Sequence, residues 1–377
     1  MRRTAAVTAA AGVAGAVVLG AAAFGVVGGR RAVHPRPKRR PRVLAVDEQR
    51  IRLERTHHTE APGTYRIRFG DDDARHALVG DVVARDDDTV TRTVLGADTG
   101  LPGVDDVVLW TGYVFATPDD VGTPFREVQV DAPSGRRAAW LFEPEDPSRR
   151  WAVHVHGIHS SRTSALRSVP ATVAAGMPSL VVSYRGDAED PATPPATLGQ
   201  DEARDVDAAI RYALDHGAQD VVLVGWSMGG TISVILADEQ RRGRDVAGVV
   251  LVGPALDWRT IIRDAARRSG IPSPLAPLFT AALTVPVLAH AAGLRRPLRA
   301  RHLRPSLGHV PAPVLILHST GDAEAPLASS EQVAADHPDR VRLERFGPVP
   351  HGMERNAEPE RFDDLVTTFL RQLPPHA

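Results

Sequence analysis

Five short and almost wholly apolar runs constrain this chain more than any other feature: Trp151–Val155, Leu180–Ser183, Val221–Val224, Val249–Val252 and Val314–Leu317. Each is too short to be a buried helix and lacks the alternation of a strand with one wet face. Strands of that texture suit a parallel sheet covered on both sides. Segments of helical period lie between and after them. Around Glu202 to Ala213, the residues Val206, Ala209, Ile210 and Ala213 share one face. Near the C-terminus Phe362, Leu365, Val366, Phe369, Leu370 and Leu373 recur at i, i+3, i+4, i+7, i+8 and i+11, a strongly amphipathic helix. From about Val121 onward, this alternation of strand and helix predicts an α/β fold with a doubly wound, mostly parallel sheet, over residues 121–377.

Two further strands open that unit. Arg126–Val130 and Ala138–Phe142 read as an antiparallel pair joined at Pro133-Ser134-Gly135. Between Trp258 and Pro311 the alternation breaks into a Pro-, Arg- and Ala-rich stretch, read as a helical lid over about 259–311. Upstream, residues 61–120 are strand-like: Tyr65–Phe69 alternates, Ala77–Ala84 is apolar, and Thr89–Leu95 is β-branched, with Asp/Gly clusters between. This small β-rich region reads as a packing extension of the main domain rather than an independent binding module.

Charge is unevenly spread. Residues 1–42 hold nine basic residues and no acid, which leaves 36 basic against 46 acidic residues in the rest. An acidic globular body argues against nucleic acid as a partner. With no cysteine there is no disulfide, thiolate metal site or cysteine nucleophile. Thr4–Gly29 carries no charge over 26 residues, longer than the roughly 7–15 of a signal-peptide core and close to a membrane span. Residues 1–29 are therefore read as a single transmembrane helix or signal anchor, and 30–60 as a basic, Pro-rich linker. The basic residues after the apolar run would stay on the cytoplasmic side, placing the catalytic body there. The alternative is export, with Ala21-Ala22-Ala23 as the cleavage site.

The chemistry centres on Gly225-Trp226-Ser227-Met228-Gly229. A Gly-x-Ser-x-Gly pattern alone is weak, but here it joins the buried run Val221–Val224 to a helix opening at Gly229-Gly230-Thr231-Ile232. A strand-to-helix turn that tight lifts the Ser227 hydroxyl clear of the sheet. A serine hydroxyl needs a base, and the base needs an orienting acid. In the chain order expected after such a serine, Asp322 follows the run Val314–Leu317, with Glu324 as the competing acid of that loop. His351 then lies between the strand-like Val341–Phe346 and the C-terminal helix. His337, ahead of that strand, reads as a solvated turn. The backbone N–H groups of Met228 and Ile158 are candidate oxyanion donors. His156, Gly157, Tyr184 and Trp226 are candidates for the substrate pocket. His154, His156 and His159 lack a carboxylate motif that would make them a metal site, and a serine mechanism needs no cofactor.

These pieces resemble the α/β-hydrolase superfamily, especially its serine aminopeptidase-like and esterase/lipase-like branches. The resemblance rests on His156-Gly157, Tyr184-Arg185-Gly186, Gly225 to Gly230, His318-x3-Asp322-x3-Pro326 and His351-Gly352, and it spans about Phe125 to the C-terminus. Asp187-Ala188-Glu189-Asp190 departs from the usual turn after Tyr184-Arg185-Gly186, as does Ser319 where glycine is common. The expected activity is hydrolysis of a carboxylic ester or thioester, of a small molecule or a lipid, through an acyl-enzyme on Ser227. An aminopeptidase-like serine peptidase is the nearest alternative, and a non-catalytic membrane-tethered scaffold the alternative of another class.

Overall fold

The computed structural model describes residues 2–35, 40–97, 100–189, 194–238 and 245–375, with side chains from residue 18 onward. Helix α1 (Arg2–Val33) is followed by β1 (Val43–Val46), β2 (Arg50–Glu54), β3 (Tyr65–Phe69), β4 (Arg75–Arg85), β5 (Thr89–Ala97) and β6 (Leu109–Thr111). These six strands form an antiparallel sheet in the order β1-β2-β5-β4-β3-β6. Alternation explains its core: in β2 only Ile51 and Leu53 turn inward, meeting Tyr65, Ile67, Phe69 and Val79. Arg92 is also fully buried there. Its guanidinium donates to the carbonyls of Gly80, Thr59, Ala61 and Gly63 at 2.5–2.9 Å, which is what makes its burial tolerable.

The second sheet comprises β7 (Phe125–Ala132), β8 (Gly135–Phe142), β9 (Arg150–Val155), β10 (Ser179–Val182), β11 (Asp220–Trp226), β12 (Val246–Val252), β13 (Val314–Ser319) and β14 (Val341–Phe346). Its order is β14-β13-β12-β11-β9-β10-β8-β7, with β9 to β14 parallel and the β7–β8 hairpin antiparallel at one edge. The helices are α2 (Val169–Ala174), α3 (Glu202–Asp215), α4 (Met228–Asp238), α5 (Trp258–Arg268), α6 (Ala276–Thr284), α7 (Pro286–Ala291), α8 (Leu327–Asp336), α9 (Glu354–Ala357) and α10 (Pro359–Arg371). The apolar runs are unbroken because both faces are covered. Val221 and Leu223 face the core shared with Val206, Ile210 and Ile232, while Val222 and Val224 face Leu166, Phe362 and Val366 on the other side. Helices α5, α6 and α7 occupy the stretch read as a lid.

The N-terminus differs from its sequence reading. Among the described residues no helix is long and apolar enough to cross a membrane. The helix instead continues through Arg30 and Arg31 to Val33 and packs on α6. Phe24 lies against Phe279 with ring centroids 5.1 Å apart. Gly25, Gly28 and Gly29 line the contact, and a Cβ on Gly28 would stand 2.1 Å from the Phe279 ring. Glycines spaced this way let the two helices approach closely, so this face of α1 packs on α6. The 30–60 stretch is likewise more than a linker, since β1 and β2 belong to the first sheet; Arg36, Lys38 and Arg39 lie outside the described residues. Arginines on the wet face of β2 dilute the alternation that marks it.

Candidate active site

Strand β11 is buried along its whole length and delivers Ser227 at its C-terminal end, with α4 starting at the next residue. Ser227 has φ +52°, a left-handed conformation that costs a non-glycine residue about 1–3 kcal/mol. The surrounding glycines show why it is held there. An added Cβ at Gly229 would stand 2.1 Å from the Val155 carbonyl oxygen, and one at Gly225 would stand 2.4 Å from that of Gly229. Neither backbone atom can swing away, so the turn closes only with glycine at both positions.

His351 sits between β14 and α9. Its Nε2 is 2.8 Å from Ser227 Oγ, and its Nδ1 is 2.6 Å from Asp322 Oδ2. With Nδ1–H donated to a carboxylate, Nε2 is left to accept from the serine hydroxyl. Asp322 lies in the loop after β13 with its side chain wholly enclosed. Its Oδ1 accepts the backbone N–H groups of Glu324 and Ala325, both at 2.8 Å. The chain thus brings Ser227, His351 and Asp322 together in one hydrogen-bonded row. Glu324, the competing acid, contributes its backbone N–H to Asp322, and no bond joins its carboxylate to His351 among the described residues.

The electrostatics follow. Burial would raise the carboxyl pKa of Asp322, but the His351 charge and the hydrogen bonds from His318 and His351 hold it well below the usual carboxylate range. Burial pulls His351 down. The charge and hydrogen bond of Asp322 outweigh that, lifting it to about 9, with Glu324 and Glu354 adding to the rise.

The candidate oxyanion donors, the N–H groups of Met228 and Ile158, belong to segments that adjoin Ser227. Met228 is the first residue of α4, where N–H groups have no intrahelical acceptor. Gly157 packs against the serine, since a Cβ on it would lie 3.2 Å from Ser227 Cβ, and Ile158 follows it. Neither the Met228 nor the Ile158 N–H has an acceptor among the described residues.

His156, Tyr184 and Trp226, the candidates for the substrate pocket, are buried in this structure. His156 is fully buried and stacked on Tyr184 at 4.0 Å, and the Tyr184 hydroxyl donates to the His156 carbonyl at 2.7 Å. Trp226 is buried between Arg167 and Phe362 and donates to Ser168 Oγ. Aromatic rings at these positions support the backbone that carries Gly157 and Ser227. Asp187, in the atypical turn, lies 3.5 Å from His156 Nε2. Burial pushes its carboxyl up, but His156 outweighs this and holds it at about 2; Asp190 of that turn lies outside the described residues. The three histidines of the β9 loop do not converge. His154 meets Ser168 and Thr172, and His159 meets the Val33 carbonyl. Burial pulls His154 down to about 3, so it is neutral.

Three residues near the row are given no role by the sequence reading, although His318 heads one of its motifs. His318 is fully buried, and its Nε2 lies 3.0 Å from the Ala325 carbonyl and 3.3 Å from Asp322 Oδ2, while its Nδ1 accepts from Ser330 Oγ. It fastens the acid loop from behind. Its one signal is a histidine closing an apolar strand four residues ahead of the acid. Glu354 is fully buried and accepts the Ser319 N–H at 3.0 Å; burial pushes its carboxyl up. Gly253 (φ +49°) leaves room for the His351–Asp322 pair, which a Cβ there would approach at 3.3 and 3.4 Å.

A parallel sheet, a strained serine between strand and helix, and a serine–imidazole–carboxylate row define a hydrolase of the α/β type. Residues 152–363 match the alpha/beta hydrolase family, more than half of the chain, and the chain belongs to that family. Residues 42–111, the first sheet, match a domain of unknown function, DUF8805. Among solved structures, an esterase of Pyrococcus furiosus is similar in two crystal forms. One is 17% identical with a TM-score of 0.53, covering 69% of this chain and 95% of that one. The other is 15% identical with a TM-score of 0.52, covering 69% and 96%. At that identity the likeness is one of fold. No curated protein matches the chain.

Proposed function

We propose that this protein is a serine hydrolase that cleaves a carboxylic ester or thioester through an acyl-enzyme on Ser227. The observation that carries the reading is the unbroken row from Ser227 Oγ through both nitrogens of His351 to Asp322 Oδ2, at 2.8 and 2.6 Å. His351 Nε2 takes the proton as Ser227 Oγ attacks the carbonyl carbon, and Asp322 steadies the imidazolium that results. The Met228 and Ile158 N–H groups hold the oxyanion, a contribution of about 2.7–4 kcal/mol for a single such donor. Collapse returns the proton from His351 to the leaving alcohol or thiol. Water, deprotonated by the same imidazole, then frees the acid and restores Ser227. The fold is shared with a Pyrococcus furiosus protein described as an esterase, which agrees with this reading.

Purified protein assayed against p-nitrophenyl esters of increasing chain length, beside aminoacyl anilides, tests both bond type and acyl length. Ester turnover is expected, with Ser227→Ala reducing it by about 10⁴ or more. Ester hydrolysis that survives Ser227→Ala would refute the assignment, and a preference for anilides would move the reaction to peptide bonds.

A further inference from the structure

The loop that follows β9 carries the candidate donor Ile158 and is pinned on either side of it. Ahead of Ile158, the Tyr184 hydroxyl donates to the His156 carbonyl at 2.7 Å. Beyond it, Ser160 Oγ lies 2.7 Å from the Tyr113 hydroxyl and 2.8 Å from Ser164 Oγ, and the Ser160 carbonyl accepts the Ala188 N–H at 2.9 Å. Between these pins, directly after Ile158, stands His159 with φ +53°. A left-handed residue other than glycine is held by its surroundings rather than by its own preference.

Those surroundings include the end of α1. The Val33 carbonyl closes that helix, where carbonyls lack an intrahelical donor. A carbonyl can only accept, so His159 Nε2 carries the hydrogen and donates to it at 3.2 Å. The Ala196 N–H donates to the same oxygen at 2.9 Å. Val33 is fully buried, and a Cβ on Gly293, just past α7, would stand 3.2 Å from His34 Nε2. Val26 and Ala32 of α1 pack against the same core as Ile158. The end of α1 is thus wedged among the lid, the segment ahead of α3 and the loop that carries the candidate donor.

An oxyanion donor works because it is aimed before the charge appears. A misplacement of about 1 Å costs roughly 10²-fold in rate. The His159 imidazole reaches from the loop to a fixed point and so selects the left-handed turn. Freed of that bond, the residue relaxes toward negative φ, and the peptide joining it to Ile158 turns with it. We propose that His159 is a positioning residue for the oxyanion: its bond to Val33 holds the loop in the turn that presents the Ile158 N–H to the charge developing beside Ser227. It acts through Ile158 rather than on the substrate. The inference rests on the serine-hydrolase reading, and it brings α1, which lies outside the matched residues 152–363, into the catalytic structure.

The test is the preference for a p-nitrophenyl ester over its thiono analogue, in which sulfur replaces the carbonyl oxygen, read as a ratio of kcat/KM values. Sulfur accepts hydrogen bonds poorly and sits on a longer bond, so the ratio reports how well the donors are aimed. A merely structural defect or an unfolded fraction lowers both rates alike and leaves the ratio in place. His159→Gly removes the imidazole without backbone strain, since glycine takes either sign of φ. His159→Asn tolerates the left-handed turn but is too short to reach Val33, whereas His159→Gln returns a donor near the place of Nε2. The glycine and asparagine variants are expected to lower the ratio by about tenfold or more, with KM for the oxygen ester little changed, and the glutamine variant to restore most of it. A native ratio near one, a ratio unmoved by the glycine and asparagine substitutions, or a glutamine variant no better than the glycine one would overturn the inference. Absence of all ester turnover in the native protein would instead fail the underlying reading.

Discussion

Asp322 and Ser227 show how much of this site is decided by single side chains. The Asp322 carboxylate outweighs burial and lifts His351 to about 9. Only the neutral imidazole can take the serine proton, so activity should be lost as pH falls through that raised pKa. The acid limb of kcat/KM is therefore expected above the ordinary imidazole value of about 6.5. Asp322→Asn removes the main raising charge and leaves burial opposed by the smaller pulls of Glu324 and Glu354. Its limb should move below that value, with kcat reduced by about 10⁴. A limb that stays in place in the variant would show that Asp322 does not set the base. Ser227, Asp322 and His351 are legible in sequence because their order and the strand ends that carry them are dictated by the turn chemistry. The roles of His318 and Gly253 are not, although His318 itself stands in a recognisable motif. They act through contacts between the ends of different strands, and neither lies in a pattern that periodicity detects.

At the scale of elements, the sequence and the structure agree where burial is two-sided and part where it is local. Continuous runs such as Val221–Val224 could only be central strands, and the C-terminal amphipathic helix could only lie on the sheet. Helix α1 shows the opposite case. An uncharged run rich in Ala, Val and Gly is written alike whether its small residues face lipid or another helix, and here Gly25, Gly28 and Gly29 face α6. Gly28→Val tests that packing directly, since its side chain would enter the ring of Phe279, itself 4% exposed. Overpacking of this kind costs about 1–3 kcal/mol. The expected outcome is faster proteolysis and hydrogen exchange in both α1 and α6. Unchanged protection in α6 would mean the contact does not hold the helix. Strand β2 is hidden in the sequence for a related reason: Arg50 and Arg52 on its wet face read as continuation of a basic linker.

For the molecule as a whole, the two sheets meet at the loop after His351, and Asn356 is the joint. Its side chain serves Thr64, Gly112 and Arg167 together. Asn356→Ala takes the side-chain donor from the Thr64 carbonyl and leaves that of Gly112 with the Val114 N–H alone, at about 1–3 kcal/mol for a buried group left unsatisfied. It should lower both the urea midpoint and kcat, because α9 follows directly on the loop that carries His351; full activity with lowered stability would limit the joint to a structural role. No sequence pattern announces this partnership, since the residues it joins lie far apart in the chain. The chemistry proposed for the whole molecule stands on Ser227 being a nucleophile activated by His351. Intact-mass spectrometry after treatment with a fluorophosphonate, followed by peptide mapping, reads that directly. The native protein should gain one adduct on the peptide containing Ser227, Ser227→Ala should gain none, and His351→Ala should label far more slowly. A native protein that stays unlabelled, or a Ser227→Ala variant that labels equally well, would contradict it.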